Sequence, residues 1–180
     1  YDNYALSVSA TTRSPRPGEE NGREYFFLTE SQFEDMIRND ELIEHARYVD
    51  HYYGTPKKYV EEKMAAGKDV ILEIEIQGAL NIKKKFPDAL LVFIVPPTAE
   101  DLKKRLIGRG TESAEVIEKR LRRAAEESDG MDSYDYIVVN DDVDTCVEDL
   151  HSLIRSSHFK ESANTDLVAR MKQELHDMTK

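Results

Sequence analysis

Two arginines three positions apart, Arg13 and Arg16, stand in the segment SVSATTRSPRPGEENGREY (residues 7–25), bounded by prolines and followed by Glu19 and Tyr25. A guanidinium presents its N–H groups as a planar fork, so two of them can clamp a phosphate through paired hydrogen bonds that lysine cannot reproduce. The same pair also fits a solvated basic loop on an acidic protein, and the segment alone leaves both readings open. A second grouping lies in LIEHARYVDHYYGTP (42–56), where Glu44, Tyr53 and Thr55 stand out. Guanine offers N–H donors at N1 and N2 and an acceptor at O6, and a carboxylate beside a hydroxyl supplies the complement. The plainer reading makes Thr55 a helix cap and Glu44 an exposed strand residue.

The stretch ILEIEIQG (71–78) sets Glu73 and Glu75 among apolar and β-branched residues. Buried carboxylates are costly unless they are paired or lie beside a metal. Ligands of open α/β sheets bind beyond the carboxyl ends of the strands. On a strand, a period of two would put both carboxylates on one face, and a functional role is the expectation here. In PPTAEDLKKRLIGRGTESAEVIEKRLRRA (96–124), Arg105 and Arg109 are four apart and share a helical face. The link GRGTES leads to a second helix carrying Arg120, Arg122 and Arg123. Two helices joined by a glycine-rich turn, with arginines near the bend, describe a lid that brings charge onto a phosphate chain, where phosphoryl transfer needs it. Salt bridges to Glu112, Glu115, Glu118, Glu126 and Glu127 are the competing use, and Arg122 and Arg123 are assigned to it.

The elements that must position these groups follow from pattern. Residues 4–12 read as a strand, the following loop is rich in Pro and Gly, and residues 22–29 read as an aromatic strand. Thr29 opens a helix with Gln32 as a capping-box partner, and Phe33, Met36 and Ile37 keep helical spacing. Residues 41–49 return to a strand. Thr55-Pro56 reads as an N-cap with proline at the first helical position, and Gly67 as the C-cap glycine. Residues 69–78 read as a strand, and the apolar run at 89–97 as a strand buried on both faces of a parallel sheet. Helices at about 98–107 and 113–128, a strand at 134–141 and helices at about 143–158 and 165–178 complete the pattern, with 158–166 as a hinge. Alternating strands and helices imply an α/β fold with a mostly parallel sheet.

With 180 residues the chain fits one domain. A net charge of −11 counts against a nucleic-acid partner, which calls for positive charge on one face, but not against a small phosphorylated ligand. Cys146 is the single cysteine, so no disulfide framework or CxxC pair arises. The five histidines, His45, His51, His151, His158 and His176, show no metal-ligand spacing. The longest apolar run, 89–95, is too short to span a bilayer and no signal peptide is seen, so the expectation is a cytoplasmic protein without a membrane partner. Leu167, Val168, Met171, Leu175 and Met178 form an apolar stripe expected to pack on its own domain, with a homodimer as the other use.

Taken in order, the strings SVSATTRSPRPGE, NG-x-x-Y-F-F, YYGTP, LEIEIQG, DLKKRLIGRGT and YDYIVVND resemble the guanylate kinase family across residues 4–155. The resemblance implies a P-loop NTPase-like parallel-sheet core flanked by helices, at about 69–97 and 133–180. It adds a small mixed-β GMP-binding subdomain at about 7–68 and a helical lid at about 98–132. It implies transfer of the γ-phosphoryl group of ATP to GMP, with Mg²⁺ entering with ATP and no metal ligand directly assigned. Arg13, Arg16, Tyr25 and Tyr53 would hold the GMP phosphate, with Glu19 in the same loop, and Glu44, Thr55 and Ser9 would read the guanine. Glu73 and Glu75 would lie between the nucleotides, near Mg²⁺ or GMP, both among the GMP-binding residues and Glu75 also in the catalytic set with the lid arginines; Glu75 stands where many relatives carry aspartate. Arg105, Arg109 and Arg120 would contact the phosphates of ATP and the transferred group, and Asn140 and Asp141 would sit near the adenine.

The family opens with a strand and a phosphate loop, G-x-x-x-x-G-K-[ST], and no such string occurs here. The expectation is a natural protein that extends upstream of Tyr1, and little kinase activity or stability for residues 1–180 alone. The alternative function is a catalytically inactive guanylate-kinase-like module that binds a phosphorylated protein. A mere phosphate binder needs neither the Glu73/Glu75 pair nor the lid arginines, and both favour the enzyme.

Overall fold

A computed structural model of the chain describes residues 1–48, 50–108 and 113–179. It divides into two units, Tyr1–Lys85 and Phe86–Lys180. The first carries β1 (Tyr4–Leu6), β2 (Ser9–Thr11), β3 (Tyr25–Phe27), α1 (Glu30–Arg38), β4 (Leu42–Tyr48), β5 (His51–Pro56), α2 (Lys57–Ala65), β6 (Asp69–Ile71) and α3 (Ile76–Lys85). The stretch expected as one strand over 4–12 is two, because the chain changes sheets at Ser7 and Val8. β1 pairs in parallel with β6, and Ser7 N still donates to Ile71 O at 2.9 Å; β2 then enters a mixed sheet of order β3-β2-β5-β4. In that sheet β2 runs parallel to β3 and antiparallel to β5, and β4 runs antiparallel to β5.

The core of this unit forms where α1 lies on the mixed sheet. Phe33 is fully buried with Ala10 and Leu42, and Phe26, Leu28, Met36, Ile37 and Tyr52 pack around them. The Phe33 ring stacks on Tyr52 with centroids 5.1 Å apart. Helix α1 starts as its sequence requires: Thr29 Oγ1 accepts from Gln32 N at 3.2 Å, and Thr29 N donates to Gln32 Oε1 at 2.9 Å. Such a cap contributes about 1 kcal/mol.

Two boundaries differ from the sequence expectation. Thr55 does not cap α2. The N-cap is Pro56, with no side-chain cap bond, because the Thr55 hydroxyl is turned inward to Glu44. The other end of α2 closes as a Schellman motif: Gly67, at φ +74°, donates from its N–H to Met64 O (2.9 Å), and Lys68 N donates to Lys63 O (3.1 Å). The strand expected over 69–78 stops at Ile71. Its only partner among the described residues, β1, ends at Leu6, so the ladder runs out. Residues 72–75 form a linker, and α3 winds from Ile76, with Ala79 N donating to Glu75 O at 3.0 Å. Glu73 and Glu75 therefore do not share a strand face.

The second unit carries β7 (Val92–Val95), α4 (Ala99–Gly108), α5 (Ala114–Ser128), β8 (Tyr136–Val139), α6 (Val143–Ser157) and α7 (Thr165–Asp177), with short 3-10 turns at Met131–Ser133 and Glu161–Ala163. Strands β7 and β8 pair in parallel, from Val92 opposite Tyr136 to Val95 opposite Val139. The double burial expected for β7 is not met. Ile94 is 47% exposed, and β7 pairs with β8 alone among the described residues. On α5, Arg122 pairs with Glu118 and Arg123 with Glu126 and Glu127, the salt-bridging use expected of them. The α7 stripe does not pack down as expected: Leu167, Met171, Leu175 and Met178 stay exposed, because α7 leans chiefly on the preceding 3-10 turn. The α/β class holds in both units.

Among the described residues Phe33 is the largest fully buried side chain, so Phe33→Ala should cost about 3–5 kcal/mol. The check is the urea midpoint of the variant against wild type, with the slope unchanged.

Candidate active site

The loop after β2 is anchored before it reaches Arg13. Thr11, fully buried, donates its hydroxyl to Tyr52 O (2.9 Å) and accepts from Arg13 N (3.2 Å). Thr12 Oγ1 accepts from Tyr52 N at 2.9 Å. The Arg13 guanidinium then forks onto Glu19, Nη1 to Oε2 at 2.9 Å and Nη2 to Oε1 at 3.0 Å, and Nη1 also donates to Ser14 O at 2.6 Å. It lies over the rings of Tyr25 and Phe27, 5.2 and 5.6 Å from their centroids, and it also bonds Tyr53. The Tyr25 and Tyr53 rings meet edge to face at 6.2 Å.

Glu19 closes the loop by accepting from Arg16 N at 2.6 Å, beside Gly18 at φ +88°. The Arg13 fork first, and the Arg16 N–H second, hold its carboxyl down to about 2. A depressed carboxylate contributes order above its ordinary range near 4.5 and loses it as pH falls toward 2. Burial pushes the Tyr25 phenol up; the charges of Tyr53 and Glu73 act in the same direction, and Arg13 opposes them. The structure thus gathers Arg13, Glu19, Tyr25 and Tyr53, sets Arg16 exposed at the rim, and holds Glu73 within electrostatic reach.

Glu44 and Thr55 meet across the β4–β5 ladder, where they are register partners. Glu44 is only 5% exposed and Thr55 is fully buried; the Thr55 hydroxyl donates to Glu44 Oε1 at 2.7 Å. The plainer reading of an exposed strand carboxylate and a helix cap does not describe these two residues. Burial is the main influence on Glu44 and raises its carboxyl above 4.5, while the Thr55 hydrogen bond and the charge of Lys85 pull the other way. Lys85 Nζ itself donates to Ile43 O at 2.6 Å. Ser9 lies half-buried on β2, in register with Tyr25. Glu73 is exposed and Glu75 half-buried in the linker before α3.

In the second unit Arg105 reaches the end of β8. Its Nη1 donates to Asn140 O at 2.7 Å and its Nη2 to Asp141 O at 3.4 Å. Asn140 N donates to Val95 O at 2.7 Å, tying the same turn to β7. The next residue, Asp142, caps α6 by accepting from Thr145 N at 2.9 Å. Asn140 Oδ1 is buried and has no hydrogen-bond partner among the described residues. Arg105, Asn140 and Asp141 are therefore brought together, and Arg120 lies half-buried on α5. Arg109 lies outside the described residues.

Four contributors escaped sequence reading. Thr11 and Thr12 read as ordinary strand residues, and Phe27 as one more apolar position. Lys85 closes a run of three lysines that resembles a solvated helix end. None carries a local signal, because each also acts on a partner distant in sequence.

A family model described as guanylate kinase matches residues 1–157. A protein named guanylate kinase from Lactococcus lactis subsp. lactis is 52% identical over 159 residues, covering 88% of this chain and 78% of the relative. One of the same name from Caldanaerobacter subterraneus subsp. tengcongensis is 47% identical over 169 residues, 94% and 82% of the two chains. The crystal structure of guanylate kinase from Anaplasma phagocytophilum superposes with a TM-score of 0.76 at 32% identity, covering 88% of this chain and 78% of that one. The fold is thus that of an α/β enzyme with mixed and parallel sheets. The chain belongs to the guanylate kinase family.

The raised carboxyl of Glu44 sets a stability–pH relation. The folded chain holds this proton more tightly than the unfolded one. Stability therefore falls as pH rises from about 4.5 through the folded value, then levels. Glu44→Gln keeps an acceptor for Thr55 and cannot ionise. Thermal unfolding from about pH 4 to about pH 8 should show the variant gaining on wild type across that window and at least matching it at neutral pH.

Proposed function

We propose that this chain is a guanylate kinase that transfers the γ-phosphoryl group of ATP to GMP. The observation that carries the reading is the Glu44–Thr55 pair, a buried carboxylate fixed by a buried hydroxyl. A carboxylate that accepts from N1–H and N2–H selects guanine over adenine, whose edge offers different groups in those positions. Ser9 is assigned to the same base. Arg13, Arg16, Tyr25 and Tyr53 bind the GMP phosphate. Glu19 acts as the brace that presents Arg13 in a fixed fork.

In the second unit, the resemblance assigns Asn140 and Asp141 to the adenine. The unpartnered Asn140 Oδ1 supports it, because an exocyclic amine is the donor such an acceptor lacks. Arg105, Arg109 and Arg120 are assigned to the ATP phosphates and the transferred group, within a P-loop-type core and a lid over about 98–132. A phosphate monoester oxygen is already anionic near neutral pH, so no strong base is needed. Catalysis rests on positioning and charge.

Mg²⁺ is expected with ATP, where it would neutralise charge between the phosphates. No group of three ligating side chains forms among the described residues, and Mg²⁺ in kinases is held by one or two carboxylates together with phosphates and water. Glu73 and Glu75 offer hard oxygen donors of that kind. No described helix is long and apolar enough to cross a membrane; a cytoplasmic location is part of the proposal. The relatives reported above are named guanylate kinases, and nothing among them supports the inactive phosphoprotein-binding module.

Calorimetric titration with GMP, with AMP as the control, tests the reading. GMP should bind selectively, and Glu44→Ala should weaken GMP by about 1–3 kcal/mol, roughly 5- to 150-fold, while leaving ATP binding unchanged. Full GMP affinity in the Glu44→Ala protein would overturn the assignment.

A further inference from the structure

We propose that Gly78, in the first turn of α3, is a specificity-determining positioning residue, because the space its missing side chain leaves is filled by the Glu44 carboxylate. The inference rests on the reading of Glu44 as the guanine-binding group. Gly78 is buried, and a Cβ built on it would stand 2.6 Å from Glu44 Oε2 and 3.2 Å from Glu44 Cδ. Real Cβ atoms essentially never approach an oxygen that closely, so an alanine and the present carboxylate position exclude each other.

Gly78 needs no glycine on backbone grounds. It lies within a regular helix, has no positive φ, and glycine is the poorer helix former there. The third nearest atom, Ile74 Cδ1 at 3.4 Å, is in nearly ordinary contact. What a side chain would meet is therefore the carboxylate, and glycine is kept at a local cost to make room for it.

Which partner would yield is also set. α3 cannot easily back away from β4, since Ala79 and Ile82 are buried on it and Lys85 Nζ is bonded to Ile43 O at 2.6 Å. The Glu44 carboxylate is the far end of a flexible side chain, and an open depression of about 230 Å³ lies beside it, lined by Glu44, His45, Asn81, Lys84 and Lys85. A displaced carboxylate has both space and two ammonium groups to turn to. Loss of the Thr55 bond and of the base-reading geometry follows, while the fold is retained.

The test compares Gly78→Ala with Glu44→Gln, using calorimetric binding of GMP and IMP, which lacks the N2 amine, together with thermal unfolding. Gly78→Ala should lower GMP affinity about tenfold or more and bring the GMP/IMP ratio toward one, with a melting temperature equal to or above wild type. In a Glu44→Asp background, where the acid is one methylene shorter, adding Gly78→Ala should cost little more. If Glu44→Gln loses the GMP/IMP preference and Gly78→Ala keeps it, the proposal fails and the reading of Glu44 stands. If both keep it, both fail. Equal loss of GMP and IMP with a lower melting temperature would make Gly78 a packing residue and overturn the proposal.

Discussion

The burial of one carboxylate is the constraint around which the first unit is arranged. Removing an ionised carboxylate from water costs several kcal/mol even after relaxation. The hydrogen bond from Thr55 to Glu44 returns about 1.5–3 kcal/mol, since one partner is charged. That bond alone does not offset the burial, and the direction of the Glu44 shift, raised despite Thr55 and Lys85, says the same. The β4–β5 register puts the hydroxyl opposite the acid, and α3 presents a glycine where a side chain would intrude.

Arg13 is handled in the opposite manner. Its charge is met within the loop by a forked ion pair, a carbonyl and two aromatic faces. The side-chain freedom that an arginine gives up to hold a phosphate is then lost on folding and not again on binding. Because the chain is acidic overall, an anion has no general attraction to its surface, and a few fixed guanidinium groups must supply the local field. On the proposed reading, Arg16, exposed beside the braced Arg13, is the group left to adjust to the incoming charge.

What was legible in the sequence was local. The capping box at Thr29 and Gln32 and the spacing of Phe33, Met36 and Ile37 involve neighbours within one or two turns, and α1 forms as they dictate. Thr55-Pro56 shows the limit. The dipeptide has the same local signature whether the hydroxyl caps a helix or bonds a carboxylate eleven residues away, and burial on β5 decides for the second. The strand expected over 69–78 failed for a related reason: alternation describes what a strand would look like, but a partner strand sets how far it runs. The Arg13–Glu19 fork spans a turn of six residues, for which no periodicity exists. Gly78 closed the strand read over 69–78, and only with α3 in place does it become a glycine in a helix interior that asks for a packing reason.

The candidate groups also divide by what they can discriminate. Arginines that hold phosphate bind a feature common to all nucleotides, so they supply affinity and register without choosing a base. Shape alone chooses weakly: one methylene is worth about 1–3 kcal/mol, whereas a site that leaves a buried polar group unpaired against the wrong ligand can reject it by roughly 10⁴–10⁵. Glu44 in the first unit is a buried acceptor, and Asn140 Oδ1 in the second is a buried acceptor without a partner among the described residues. On the proposed reading each is matched to the N–H groups of a different purine. Selectivity then resides in two buried acceptors, not in the contour of a deep cavity, and the strands and helices around them serve to keep each acceptor buried and aimed.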